Sequence, residues 1–206
     1  MPGPEFNPRD DEPIDREEYE RWMQHGCPNS DNSKGGNEME TVAGVDVGLT
    51  GGIAILGQNI EITEEMPVMP RGLTKKVRVK NQVNPAELAR ILRPHKIVCA
   101  YVERVSTMAK QGIASNGSLM HSLGVVEGVL AALGIPTVMV NPKDWKGHFS
   151  LLKAEKDASR MIAQRLFPKV SLARKCDSGV AEGLLIARYG QSLRKNSERP
   201  EYVLDN

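Results

Sequence analysis

Short apolar runs alternate with longer amphipathic segments from Thr41 onward, a pattern typical of an α/β domain. Five of the runs predict strands. TVAGVDVG, KIVCAYVER and IPTVMVN are predicted to be buried, and TGGIAIL with IEITEEM is predicted to form a hairpin-like continuation of the first. Glycine turns separate the first three runs, so their strands are predicted to pair in an antiparallel manner. Two stretches predict loops, the basic MPRGLTKKVRVKNQV and the polar STMAKQGIASNG.

The amphipathic segments predict four helices. They are NPAELARILRPH, SLMHSLGVVEGVLAALG, EKDASRMIAQRLFP and the stretch from Val180 to Gly190. Asn84 is the predicted N-cap of the first helix, and Pro85 takes its first position. The order β-β-β-α-β-α-β-α-α predicts an α/β fold with a mixed five-stranded sheet. Three antiparallel strands come first, parallel strands follow, and helices flank the sheet.

The second predicted helix carries two patterns at helical spacing. An apolar stripe is expected to face the core and consists of Leu119, Leu123, Val126, Leu130 and Leu133. Gly124 and Gly128 lie one turn apart, so the helix is expected to approach another element closely there. We interpret these glycines as close packing on the sheet, with a dimer surface as the alternative.

The composition allows one soluble domain with a core, because 206 residues are available and 40% of them are hydrophobic. No apolar run approaches the roughly 18 to 20 residues of a membrane span, and no signal-peptide core is visible. Cys27, Cys99 and Cys176 are far apart and form neither a CxxC site nor an obvious disulfide framework. A reducing compartment, the cytoplasm, is therefore expected.

Charge divides the chain into an acidic leader and a basic body. Residues 1–40 hold 11 acidic and 4 basic residues, a net charge of −7, and the remaining residues carry +8. The leader is predicted to be disordered; a regulatory tail, a partner motif and a vector-derived sequence all fit it. The predicted folded domain covers 41–192, and 193–206 is predicted to be a flexible C-terminal tail. A basic body often meets polyanions, although charge alone does not decide this.

Four carboxylates stand where strands or helices meet loops. Asp46 ends the first strand, Glu103 ends the strand after the first crossover helix, and Asp177 and Glu182 lie at the entrance of the last helix. If the two strands are neighbours, these acids can share one edge of the sheet, where hard oxygen ligands suit Mg²⁺ or Mn²⁺. Two such ions about 4 Å apart can drive in-line displacement at a phosphodiester.

Each of these acids also has a purely structural interpretation. Asp46 fits a turn former before Gly48, and Glu103 fits the first solvated residue after a strand. Asp177 fits a capping residue, and Glu182 fits a first-turn glutamate favoured by the helix dipole. The combination of all four is more specific than any one of them.

Several stretches in this order resemble RuvC-type Holliday-junction resolvases, most of all the phage-encoded branch of the RNase H-like nuclease superfamily. They are VDVGLTGGIAIL, YVERV, EGVLAALGIPTVMVNPKDWK, KAEKDASRMIAQRLFP and DSGVAEGLLIARYG. The resemblance covers about 41–190. It implies an RNase H-like fold and a homodimer that resolves branched DNA by paired, Mg²⁺-dependent nicks with 5′-phosphate ends. The acids of that family's pattern fall on Asp46, Glu103, Asp177 and Glu182.

Two features depart from the family pattern. Bacterial members space the last two acids three residues apart, whereas Asp177 and Glu182 are five apart, which is about 140° around a helix. Both can face one metal only if Asp177 lies in the loop before the helix, which Gly179 allows. The bacterial aromatic wedge after the strand glutamate is also absent, since Ser106 and Thr107 stand there.

Basic residues are predicted to contact DNA. The resemblance implies that Lys146 and Lys156 approach the scissile phosphate. A basic loop could follow the backbone of a duplex arm, and the predicted DNA contacts are Arg71, Lys75, Lys76, Arg78, Lys110, Lys143 and Lys146. The alternative is a solvated loop without a partner. Trp145, between two of these lysines, is interpreted as a packing anchor and not as a base-stacking platform.

Three other functions compete with a junction-resolving endonuclease. DVGLTGG also resembles the phosphate loop of actin-like ATPases and sugar kinases, but those proteins need a second lobe that 166 residues after the leader cannot supply. A non-catalytic RNase H-like DNA-binding or scaffold protein is the second alternative. An RNase H acting on hybrids, or a flap nuclease with another substrate preference, is the third.

Overall fold

In the computed structural model, the described residues are 40–72, 80–105, 112–155 and 157–197. Their centre is a five-stranded sheet with the strand order β3-β2-β1-β6-β7. Its strands are β1 (Val42–Val45), β2 (Gly52–Leu56), β3 (Glu61–Glu65), β6 (Cys99–Glu103) and β7 (Thr137–Val140). The first three pair antiparallel, and β6 lies parallel to both β1 and β7. The predicted mixed sheet is confirmed.

The predicted basic loop is shorter than expected because its two ends pair with each other. β4 (Val68–Pro70) and β5 (Asn81–Val83) form a separate two-stranded sheet. The backbone N–H of Arg71 also donates to the Lys80 carbonyl at 2.8 Å. Pairing satisfies backbone groups that a loop would leave to water. Residues 73–79 lie outside the described residues.

Five helices complete the described fold, namely α1 (Pro85–Leu92), α2 (Ile113–Ala132), α3 (Pro142–His148), α4 (Ala158–Leu166) and α5 (Ser178–Ser197). The cap of α1 is confirmed, since Asn84 Oδ1 accepts from the Glu87 N–H at 3.3 Å. α2 begins at Ile113, so the predicted polar loop is wrong for its last residues. α3 was not predicted, because a helix of one to two turns is too short to show a 3.6-residue period.

The helices cover the two faces of the sheet with two separate cores. One core joins α5 to side chains of β1, β2 and β6, including Val42, Tyr101 and Leu184. The other joins α1 and α2 to the opposite side chains of the same strands, including Val45 and Leu88. This alternation follows the two-residue period of a strand. The sheet is therefore buried on both faces, as parallel strands require.

The predictions for α2 are confirmed for its stripe and wrong for its glycines. Val126 and Leu130 are fully buried, and the leucines of the stripe pack against the same core. Among the described residues, a Cβ atom on Gly124 or Gly128 would meet nothing within 4 Å. These glycines therefore do not pack on the sheet, because the helix turns its other side to the core.

Both ends of the described fold cross the predicted domain bounds. α5 continues to Ser197, past the predicted end at 192, and Arg194 pairs with Glu40 of the predicted leader. Residues 1–39 and 198–206 lie outside the described part of the chain. Within that part, no helix is both long and apolar enough to cross a membrane.

Candidate functional site

Asp46 directly follows β1 and Glu103 ends β6, so both acids lie at the same edge of the sheet, on neighbouring parallel strands. The strand register pairs Val45 with Val102, and the next residue after each of them is an acid. The Gly48 N–H donates to Asp46 Oδ1 at 3.2 Å. Both acids are half-buried. The predicted convergence of these two carboxylates is therefore what the strand register produces.

Glu182 joins them from the first turns of α5, which lies across β1. Its side chain is 24% exposed, and its Oε2 lies 4.0 Å from Lys146 Nζ. The hydroxyl of Ser159, at the start of α4, donates to Glu182 Oε1 at 3.4 Å. Three secondary-structure elements thus direct acids toward one place.

The charges of the three acids act on each other. Burial raises the pKa of Asp46 to about 6, and repulsion from Glu182 raises it further. The hydrogen bond from the Gly48 N–H and the charge of Lys146 act in the opposite direction and lower it. Burial raises the pKa of Glu103 to about 7, with further repulsion from Asp46 and Glu182. Lys146 is the cation that opposes the shift in both cases. The group carries more negative charge than its surroundings neutralise.

Helix α3 supplies two side chains to this group. Trp145 is completely buried, which confirms its prediction as a packing anchor. Its indole N–H donates to Glu103 Oε1 at 3.1 Å, a contact that sequence reasoning missed. The neighbouring Lys146 places its ammonium 4.9 Å from the centroid of the indole ring. No local sequence pattern predicts a contact between two residues that are 42 positions apart.

Asp177 does not join the group, contrary to the expectation from the sequence. It ends a 3₁₀ turn (Lys175–Asp177), its side chain is 4% exposed, and Arg174 holds its carboxylate. The backbone N–H of Arg174 donates to Oδ2 at 2.7 Å, and its Nη2 donates to Oδ1 at 2.6 Å and to Glu65 Oε1 at 2.7 Å. The hydrogen bonds from Arg174 hold the pKa of Asp177 below its usual range. Asp177 is therefore part of an ion-pair network with the edge strand β3.

The bacterial spacing would place the fourth acid at Gly179, three residues before Glu182. A Cβ atom on Gly179 would lie 2.2 Å from the Thr50 carbonyl oxygen and 2.5 Å from Gly51 Cα. No side chain fits there without a backbone shift. The group around Asp46 accordingly holds three acids, and the close contact of α5 with the β1–β2 turn is the reason.

A divalent cation suits the three acids on the basis of their chemistry. Asp46, Glu103 and Glu182 offer hard oxygen ligands, are partly buried and repel one another, and a cation relieves that repulsion. Their oxygens are not gathered as tightly as those of Glu65, Cys176 and Asp177, whose ligand atoms all lie within 4.8 Å of one another. That second group already has Arg174 as its cation.

The structure tests part of the predicted basic surface. Arg71 is exposed beside the β4–β5 hairpin, and Lys143 is exposed on α3. Of the predicted basic residues that are described, Lys146 is the one that reaches the acids. The others lie outside the described residues, namely Lys75, Lys76, Arg78, Lys110 and Lys156.

Comparison with solved structures identifies the fold. The RuvC of Thermus thermophilus in complex with a Holliday junction substrate superposes with a TM-score of 0.55 at 17% identity, over 76% of this chain and 96% of that one. A second structure of Thermus thermophilus RuvC gives a TM-score of 0.50, also at 17% identity, over 76% and 97% of the two chains. No family model matches the chain, and no curated protein matches it. The predicted RNase H-like fold is confirmed as RuvC-like.

Proposed function

We propose that this protein is a Mg²⁺-dependent endonuclease that cuts branched DNA of the Holliday-junction type. The observation that carries the proposal is the meeting of Asp46, Glu103 and Glu182 beside Lys146 at one edge of a RuvC-like sheet. A similar fold, that of Thermus thermophilus RuvC, has been solved with a Holliday junction substrate. The sequence stretches that resemble the phage-encoded resolvases belong to the same proposal.

The three acids would hold Mg²⁺, with Mn²⁺ as a substitute. Bound there, the ion supplies the Lewis acidity that activates water and stabilises charge on the phosphate. The chain itself contributes the placement, because β1, β6 and α5 fix the three carboxylates from different directions. Attack of water on phosphorus would form a new P–O bond and break the bond to the 3′ oxygen, which takes up a proton, so the products would carry 5′-phosphate and 3′-hydroxyl ends.

Lys146 is proposed to contact the scissile phosphate. Its ammonium lies near Glu182, and its side chain is 33% exposed, so it can reach solvent from within the site. A lysine there attracts the phosphodiester and offsets the repulsion between DNA and three carboxylates. Asp177 is not assigned a role in metal binding, because Arg174 neutralises it.

A homodimer is proposed because symmetric cleavage of a junction requires two sites. One face of α2 supports it, since Gly124 and Gly128 leave open space around an exposed part of the helix. Met120, on the same face, is 37% exposed. Small residues let a second copy approach closely, and the exposed Glu127 is the charged side chain beside them.

The test compares a labelled four-way junction with a linear duplex and an RNA–DNA hybrid in Mg²⁺. The expected result is paired, symmetric nicks in the junction alone. Equal cutting of the linear duplex would leave a nuclease but remove the junction selectivity, and cutting of the hybrid would favour an RNase H. Asp46→Asn and Glu103→Gln should keep junction binding and abolish cutting. Full activity in either variant would place the active site elsewhere.

A further inference from the structure

We infer that Trp145 is a positioning residue that fixes the orientation of Glu103 through its indole N–H. The inference rests on the proposed function of the Asp46 site and goes beyond it, since it concerns how one acid is held ready for a cation. It starts from the hydrogen bond of 3.1 Å between Trp145 Nε1 and Glu103 Oε1.

The burial of Trp145 makes this contact obligatory. The side chain is 0% exposed and its ring belongs to the core beneath α5. An indole N–H that is buried without an acceptor loses its hydrogen bonds to water, at a cost of roughly 1–3 kcal/mol. Glu103 Oε1 is the acceptor that the structure provides, so the contact forms whenever the core is packed.

The contact matters for Glu103 because the neighbouring charges act against its inward orientation. Asp46 and Glu182 both repel its carboxylate. Without a donor on the inner side, the carboxylate would turn toward water. The indole N–H holds one oxygen, and the other oxygen remains available to a cation. Partners of this kind, which hydrogen-bond a ligand, commonly change metal affinity by 10- to 100-fold.

The same ring also fixes Lys146. The ammonium lies 4.9 Å from the Trp145 ring centroid and 4.0 Å from Glu182. A cation over an indole face is attracted by the ring. One buried side chain therefore sets an acid on one side and the lysine on the other, and α3 acts as the element that couples them.

A purely structural role for Trp145 makes a different prediction, because it needs the ring and not the N–H. The two roles separate when Trp145 is replaced by 3-benzothienylalanine, which keeps the bicyclic shape and exchanges the N–H for sulfur. The substitution is made in a Trp22→Phe background, so that a single tryptophan position is affected. The Trp22→Phe protein is the reference throughout.

Binding of Mn²⁺ in the absence of DNA is measured by calorimetry, and cleavage of the junction is measured under single-turnover conditions. We expect Mn²⁺ binding to weaken roughly 10- to 100-fold, with an unchanged thermal midpoint and unchanged junction affinity in Ca²⁺. The cleavage rate should fall at subsaturating Mn²⁺ and recover at high Mn²⁺. Equal Mn²⁺ affinity in the two proteins would overturn the inference.

A second measurement tests the contact independently of any metal. In the ¹⁵N-labelled reference protein, the Trp145 indole N–H should exchange slowly with solvent, and Glu103→Ala should shift its resonance and speed its exchange. An indole N–H resonance whose chemical shift and exchange rate do not change on Glu103→Ala would overturn the inference. Failure of the proposed function would give a different result. The reference protein itself would then show no Mn²⁺ binding that is lost on Asp46→Asn. That result would overturn the positioning role with it.

Discussion

A Cβ atom on Gly44 would lie 2.3 Å from the carbonyl oxygen of Gly183, so α5 rests directly on the backbone of β1. Glu182 precedes Gly183, and Asp46 lies two residues after Gly44. The contact between two glycines therefore determines how near the acid of the helix comes to the acid of the strand. A side chain at either position would lift the helix away.

Gly44→Ala is expected to destabilise the fold by roughly 1–3 kcal/mol, because the added methyl group must displace the helix backbone. Urea denaturation measures the effect. Gly117→Ala is the matched control, since a Cβ there would contact none of the residues that the structure describes within 4 Å. In the interior of α2 this control should gain up to about 1 kcal/mol from helix propensity. Equal stability of Gly44→Ala and the natural protein would contradict the close packing of α5 on β1.

Neutralising the acids should change how stability depends on pH. In the folded protein, the pKa values of Asp46 and Glu103 are raised from 3.8 and 4.5 to about 6 and about 7. The folded state thus takes up protons more readily than the unfolded one. The two acids therefore favour folding most when protonated, and this contribution is lost as the pH rises from about 4 through about 7.

Glu103→Gln should accordingly be more stable than the natural protein at pH 8 without divalent cations, by about 1–3 kcal/mol. The difference should shrink toward pH 4. Gln keeps an oxygen that can accept from Trp145, so the packing is preserved. Glu61→Gln, at an exposed position on β3, is the control and should follow the natural protein at every pH. A parallel pH profile for Glu103→Gln would show that neither burial nor repulsion raises the pKa of Glu103.

Asp177 and Glu182 should respond in opposite ways to loss of charge. Asp177→Asn weakens the pairing with Arg174 and should lower the thermal midpoint at pH 7 while leaving Mn²⁺ binding intact. The pKa of Asp177 is lower in the folded protein than in the unfolded chain. Its contribution to stability is therefore fully present at a pH above the unfolded pKa, and it is lost as the pH falls through the folded pKa.

Glu182→Gln should weaken Mn²⁺ binding without lowering the thermal midpoint, since it removes repulsion from Asp46 and Glu103. Calorimetry with Mn²⁺ and a thermal melt on both variants decide the assignment. Loss of Mn²⁺ binding in Asp177→Asn would return that residue to the metal site.

The open face of α2 predicts the effect of a bulky charge. Gly124→Arg should convert the proposed dimer to monomers in light scattering, while the helix content and the fold are retained, because a Cβ there has no neighbour within 4 Å in the described part of the chain. Gln58→Arg, at an exposed position in the β2–β3 turn, is the control and should leave the mass unchanged. An unaltered mass for Gly124→Arg would remove this face from the interface.

The sequence by itself determined the order of strands and helices, and it predicted the meeting of Asp46 with Glu103 on the condition that their two strands are neighbours. Both follow from short-range rules. Apolar runs of β-branched residues predict strands, and helical crossovers make consecutive strands parallel, which brings their carboxyl ends to one edge. The burial of Trp145 was also predictable, since a large aromatic side chain next to a buried strand usually packs into the core.

Only the tertiary structure decided which acid of the last helix joins the strand acids. The sequence offers both Asp177 and Glu182 as candidates, but the rotation of α5 on β1 is fixed by contacts of Gly44, Gly52 and Gly179 with distant backbone. The pairing of Asp177 with Glu65 through Arg174, and the hydrogen bond from Trp145 to Glu103, likewise join residues far apart in the chain. Such choices depend on distances of a few ångströms between elements, and local periodicity carries no information about them.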